Sequence, residues 1–290
     1  MTTDNLEEFV GKMLGDLGAG FSASLVLMGD RLGLFSAMNG AGPMTSQSLS
    51  EKTNTEERYC REWLAAMAAS GYVDLDPENT TFTLSPVQAQ VFDDPGSPYY
   101  MQGSFECMES NFLDESKVRK AFKEGGGVGW GDHSSCLFSG VERFFRPSYD
   151  NMLVQAWLPA LDGIVEKLER GMTVADVGCG GGYSTRLLAK AFPKSTFVGF
   201  DYHAESITAA IEEADAAGIT NATFKESSAQ QFDGEGYGLV CFFDCLHDMG
   251  DPVGALRRAK ETMADDGVCM LVEPFAQDNV KDNMNPVGRI

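Results

Sequence analysis

The stretch VADVGCGGGYST, residues 174–185, ends an apolar run on one acid, Asp176, and follows it with glycines at alternate positions, Gly178, Gly180 and Gly182. Residues without a Cβ let a ligand lie against the backbone, and the first N–H groups of a helix starting near Tyr183 would point at it. The spacing is G-x-G-x-G, whereas a dinucleotide fingerprint, G-x-G-x-x-G, needs a glycine where Tyr183 stands. A second acid, Asp201, closes the run FVGFD about 20 residues further on, where a carboxylate can accept both hydroxyls of a ribose. A ribose diol is common to several nucleoside cofactors, so Asp201 alone separates none of them. A third stretch, LVCFFDCLHDMGDP, holds His247, whose imidazole, with a reference pKa of about 6.5, can take a proton at neutral pH.

These groups need strands that end side by side. From Thr173 onward the chain alternates: TVADVG, STFVGFD, ATFKE, GLVCFFD and GVCMLVEP read as strands, and YSTRLLAKAF, AESITAAIEEADAAG and PVGALRRAKETMADD as helices. Strands separated by such helices imply right-handed crossovers and a Rossmann-like parallel sheet covered on both faces, an α/β fold. In such a sheet the ligand sits beyond the carboxyl ends of the strands, where the glycine turn falls.

The earlier part of the chain differs. Residues up to about Phe92 read as helices (FSASLVLMGDRLGLFSAM, TSQSLSEKT, EERYCREWLAAMAASGYV) followed by YVDL and TFTLS around the turn DPENT. Three helices and a hairpin are a winged-helix order. The third helix sets Glu56, Glu57 and Glu62 against Arg58 and Arg61, so it offers no basic face to phosphates, and dimerisation or packing is the better reading. Residues 93–146 are rich in Gly, Pro, Met and aromatics and read as an irregular linker or lid; Trp130, Phe105, Met101 and Met108 either wall an acceptor pocket or pack in the core, and His133 either reaches that pocket or, the commoner case, is a surface-loop histidine. PSYDNMLVQAWLPALDGIVEKLERG follows as a helix-like connector. The expected division is 1–92, a winged-helix dimerisation domain; 93–150, linker and lid; and 151–290, the nucleoside-binding domain.

The bulk numbers agree with two cores in 290 residues. With 22 Lys+Arg against 43 Asp+Glu, the net charge of -21 repels a nucleic-acid backbone or an anionic membrane. The acidic start MTTDNLEEFVGK has no signal-peptide pattern, and no window reaches 18 uninterrupted apolar residues, so a cytoplasmic protein is expected. Seven cysteines without a C-x-x-C pair and three histidines predict reduced thiols and no metal site.

The glycine turn, its preceding acid and Asp201 resemble motif I and the ribose acid of class I S-adenosylmethionine (SAM)-dependent methyltransferases. SAM has no pyrophosphate, which suits a turn that offers close backbone approach without an anion cradle. The resemblance implies SAM as cofactor, held by Asp176, Gly178, Cys179, Gly180, Gly182, Asp201 and Tyr202. Ser228, Ala229 and Gln230 stand at the adenine position, though many members have Asp where this chain has Ser228. Asp244 and Cys245 stand beside the methionine part. Phe200 and Tyr202 flank the ribose acid and either line the adenine slot or pack. LHD resembles the His-Asp pair of winged-helix O-methyltransferases, which implies His247 as general base, oriented by Glu273 of MLVEPF or by Asp248.

The whole chain resembles a two-domain methyltransferase with an N-terminal winged helix, acting on a small, apolar or aromatic acceptor as a homodimer. It departs from the family in strand number: five of seven are legible before the chain stops at NPVGRI, and about 50 to 70 further residues, carrying the C-terminal hairpin, are expected by usual element lengths. A SAM-fold protein that binds without catalysing and an NAD-dependent oxidoreductase remain the alternatives.

Overall fold

The computed structural model describes residues 5–289, and the chain divides near Asn151 into two compact units. In the first, α1 (Leu6–Arg31) and α2 (Leu34–Met38) precede α3 (Ser46–Thr53) and α4 (Glu57–Ala69), and a hairpin of β1 (Asp74–Asp76) and β2 (Thr81–Thr83) follows. The stretch read as one helix over FSASLVLMGDRLGLFSAM breaks at Gly33, whose φ of 67° is not helical. Local chemistry sets the starts: Asn5 caps α1, and Thr45 and Ser48 form a capping box on α3. The core beneath is aromatic. Phe35 stands edge-on to Trp63 at 5.1 Å and stacks on Phe92 at 4.8 Å, while the Trp63 indole N–H donates to Leu25 O. On α4, Arg58 pairs with Glu62 and Arg61 with Glu57, so both cations are neutralised on their own helix.

The stretch expected to be irregular is mostly helical. After α5 (Pro86–Phe92) come α6 (Gln102–Leu113), α7 (Glu115–Glu124) and α8 (Ser135–Ser148); residues 93–101 and the glycine run at 125–129 with its flanks stay open. The glycines that suggested loop serve close packing here. A Cβ on Gly140 would lie 2.8 Å from Cys107 N, and one on Gly103 would strike the Phe144 backbone, so α6 and α8 cross at their glycines. Arg143 of α8 pins the crossing, donating to Asp30 of α1 and to the buried Glu106 of α6. The expected connector helix is broken too: the chain passes through a wide π-type turn, Tyr149–Trp157, and a short 3₁₀ turn, Leu158–Ala160, before α9 (Ile164–Arg170). Pro159 and Gly163 account for the break, since neither continues a helix.

The second unit holds a five-stranded sheet, every pairing parallel, in the order β5-β4-β3-β6-β7: β3 (Thr173–Val177), β4 (Thr196–Asp201), β5 (Ala222–Glu226), β6 (Tyr237–Phe243) and β7 (Met263–Val272). Helices α10 (Tyr183–Ala191), α11 (Ala204–Ala216) and α12 (Pro252–Thr262) make the crossovers. The last helix ends four residues earlier than its pattern suggested, because Met263–Asp266 already belong to β7. Strands buried on both faces, such as VADV and LVCFF, carry no alternation, as a covered parallel sheet requires. The order reverses at β3, which pairs with β4 on one side and β6 on the other, so a crevice opens beyond the carboxyl ends of β3 and β6. No helix among the described residues is long and apolar enough to cross a membrane.

Candidate active site

The glycine turn forms one rim of that crevice. Gly178 N and Cys179 N both donate to Phe200 O, at 2.7 and 3.0 Å, tying the turn to the end of β4. All three glycines are left-handed, with φ of 79°, 51° and 73°. Packing fixes two of them: a Cβ on Gly178 would come within 2.6 Å of Cys245 Sγ, and one on Gly182 would strike Phe224. Gly180 has nothing within 4 Å of that position and faces open space. It alone leaves the backbone accessible.

Two carboxylates brace the turn. Asp201 accepts from Gly180 N through Oδ2 and from His203 N through Oδ1, both at 2.9 Å, and each oxygen keeps a second lone pair. Asp176, 1% exposed, accepts the hydroxyls of Ser184 and Thr185 on Oδ2 at 2.7 and 2.6 Å. Its Oδ1 is buried without a partner. Burial pushes the Asp176 carboxyl up to about 6; the two hydroxyls oppose this and the charge of Asp201 adds to it. The hydroxyl pair was not anticipated, although the YST directly after the third glycine carried the signal.

The other expected residues of this rim divide. Cys179 is buried, and burial raises its thiol well above the ordinary value, so it packs as an inert thiol. Phe200 belongs to the core, 5.1 Å from Phe232 and 6.5 Å from Tyr237, whereas Tyr202 is 55% exposed. Ser227 N donates to Asp201 O, which sets the following loop beside β4. In that loop Ser228 O accepts from Gln231 N and Phe232 N, Ala229 packs against the core, and Gln230 donates to Asp251 O.

The opposite rim follows β6. Asp244 adopts a left-handed backbone, φ 55°, with its N–H on Val272 O at 2.7 Å, and Cys245 Sγ donates to Val177 O at 3.2 Å. A single 3₁₀ turn, Leu246–Asp248, then presents His247. Glu273, just past β7, accepts Leu246 N on Oε1 at 3.0 Å and faces His247 Nδ1 with Oε2 at 2.5 Å. Asp248 Oδ2 lies 3.4 Å from Nε2 on the other side of the ring. Burial pulls the imidazole pKa down, but the Glu273 hydrogen bond and the charges of Asp248, Glu273 and Asp244 outweigh it, so the net shift is upward. Burial lifts the Asp244 carboxyl to about 7, opposed by His247 and reinforced by Glu273 and Asp248.

Within the first unit, His133 is held by Asp114, Nδ1 to Oδ2 at 3.1 Å, in a cluster that also draws in Ser134 and Lys117. Trp130 packs on Phe138 and Phe105 on the aromatic core, while Met101 and Met108 are partly exposed.

Residues 168–287 match the profile of a methyltransferase domain, and residues 20–93 that of an Rv2258c-like winged helix-turn-helix domain. The second unit is a methyltransferase domain. Solved structures similar to the chain include a provisionally described O-methyltransferase from Nostoc punctiforme, 20% identical, TM-score 0.74, covering 99% of this chain and 85% of that one. Mitomycin 7-O-methyltransferase MmcR is 20% identical, TM-score 0.67, over 94% and 81%. Human N-acetylserotonin methyltransferase, solved in complex with SAM, is 16% identical, TM-score 0.64, over 99% and 83%. At these identities the likeness establishes the fold. An uncharacterized protein of Synechocystis sp. is 35% identical over 65 residues, which is 22% of this chain and only 13% of that relative.

The methyltransferase domain thus sets a backbone seat braced by Asp176 and Asp201 on one rim, and an imidazole-carboxylate pair on the other. The sheet brings together His247, Glu273, Asp248 and Asp244, which lie in two segments well apart in sequence.

Proposed function

We propose that the protein transfers a methyl group from SAM to an oxygen atom of a small apolar or aromatic acceptor, with His247 as general base. The observation that carries this reading is the 2.5 Å contact between His247 Nδ1 and Glu273 Oε2, opposite the glycine turn. The residues present fit the cofactor: Gly180 offers bare backbone to open space, and Asp176 Oδ1 is a buried carboxylate oxygen with unused capacity. SAM, when bound, supplies a methyl group already activated on a sulfonium.

The chain's own task is to hold and to deprotonate. Gly178, Gly180, Gly182 and Asp201 would hold the ribose and amino-acid parts; Ser228, Ala229 and Tyr202 would border the adenine, and Asp244 and Cys245 the methionine. Such positioning contributes roughly 7 to 11 kcal/mol in well-oriented systems. Glu273 accepts the Nδ1 proton of His247, which leaves Nε2 with a lone pair for the acceptor hydroxyl; Glu273 and Asp248 then stabilise the imidazolium.

The reading includes a cytoplasmic homodimer, with small molecules and not nucleic acid as partners. The first unit supports it, because α1 leaves Leu6, Phe9, Leu14, Leu17 and Phe21 exposed and the α4 arginines are paired within their helix. Light scattering should find two chains per particle, and Leu14→Glu with Phe21→Glu should return one.

A thermal-shift comparison tests the core of the proposal. SAM and its demethylated product should raise the melting temperature, and NAD should not. Failure of both SAM and its product to shift the intact protein sinks it.

A further inference from the structure

We propose that Asp244, His247 and Glu273 form a three-ligand site for a divalent transition-metal ion of the zinc class. One ligand atom from each lies within 4.8 Å of the others. Zinc bonds of roughly 2.0 to 2.2 Å set tetrahedral donors roughly 3.4 Å apart, so the widest gap in the trio closes by at most about 1.4 Å while His247 Nδ1 and Glu273 Oε2 open from 2.5 Å. One imidazole nitrogen and two carboxylates leave a fourth position for water, and that mixed set favours zinc, cobalt or iron over magnesium or calcium.

The backbone prepares the site. Asp244 is held left-handed, with its N–H on Val272 O, and its Oδ1 is buried with no hydrogen-bond partner. A buried carboxylate oxygen without a donor is costly, and a cation is one partner that offsets the cost. Glu273 is fixed by Leu246 N through Oε1, which leaves Oε2 turned toward the imidazole. Asp248, 3.4 Å from Nε2, adds a further negative charge without being one of the three ligands. On coordination at Nδ1 the ion displaces the proton shared between His247 and Glu273, and that proton moves to Nε2, so the bound ring stays a neutral imidazole. Metal and acceptor proton then compete for the same imidazole, so a filled site restrains methyl transfer. That consequence rests on the proposed role of His247; the binding itself does not.

The test uses the full chain after chelator treatment, without SAM or acceptor. Co²⁺ should give the visible absorption of a nitrogen-oxygen site at one equivalent, and Zn²⁺ should displace it. Of the chain's three histidines, His133, His203 and His247, only the ring signals of His247 should shift on addition of Zn²⁺. His247→Ala and Asp244→Asn should each weaken Zn²⁺ binding by about tenfold or more, given that losses beyond the first shell already cost roughly 10- to 100-fold. Asp266→Asn, an exposed acid paired with Lys167, should leave it unchanged. Two results overturn the proposal: an unshifted His247 signal in the wild-type chain, or equal affinity in His247→Ala, which would mean that scattered surface acids bind the ion. SAM thermal shifts measured in chelator separate this outcome from failure of the proposed cofactor.

Discussion

The two rims of the crevice are built on different principles. On the glycine side every group is held by backbone or by buried hydroxyls: Asp201 is fixed by two N–H donors and Asp176 by Ser184 and Thr185. On the histidine side the groups hold one another. His247 is 41% exposed in its side chain and is positioned by Glu273; an unpartnered carboxylate oxygen occurs on both sides, Oδ1 of Asp244 here and Oδ1 of Asp176 there. A seat for a ligand must be rigid before the ligand arrives, whereas a proton acceptor needs solvent access and unspent hydrogen-bonding capacity. Burial raises the carboxyl on each side, Asp244 to about 7 and Asp176 to about 6.

The contrast is sharpest in what each substitution should spare. His247→Ala should lower turnover by roughly 10²- to 10⁴-fold while SAM affinity, measured calorimetrically, stays close to wild type. Loss of both together would erase the division of labour.

Next in size is the pH response of the rigid rim. Burial sets the Asp176 pKa at about 6 in the folded chain against an ordinary 3.8, so the folded state holds the proton more tightly than the unfolded chain. Its favourable contribution is complete below about pH 4 and is lost as pH rises through about 6, a change of roughly 3 kcal/mol. Urea melts across that range should show the wild type losing stability relative to Asp176→Asn, and parallel curves would contradict the buried, ionising carboxyl.

Asp201→Ala removes an ionic acceptor from Gly180 N and from the proposed ribose site. Hydrogen bonds to charged groups contribute about 1.5 to 3 kcal/mol, so SAM affinity should fall roughly 10- to 100-fold while the proton-transfer rim is untouched. Gly180→Ala should have the smallest effect on the fold, about 1 kcal/mol for the left-handed backbone, since no atom occupies the space its Cβ would enter. It should still weaken SAM binding, because the proposed site sets the ligand in that space.

The glycine rim was legible in the sequence because its information is local: three glycines, one acid before and one strand later. The parallel sheet followed from alternation with helices. Within residues 93–146 the segments that fold as α6, α7 and α8 were misread for a related reason, since Gly103 and Gly140 signal loop locally and are used for helix crossing. The Asp244-His247-Glu273 cluster had no local signature as a metal site, although His247 and Glu273 were each singled out.

The sequence by itself determined the α/β order, the winged helix before it and the nature of the turn, because hydrophobic period and glycine spacing act within one or two elements. Only tertiary structure decided which glycines are forced by packing, which carboxylate oxygens remain unpartnered, and that Glu273 meets His247. Those facts depend on β6 and β7 lying side by side in register, and register is set by burial across the whole sheet.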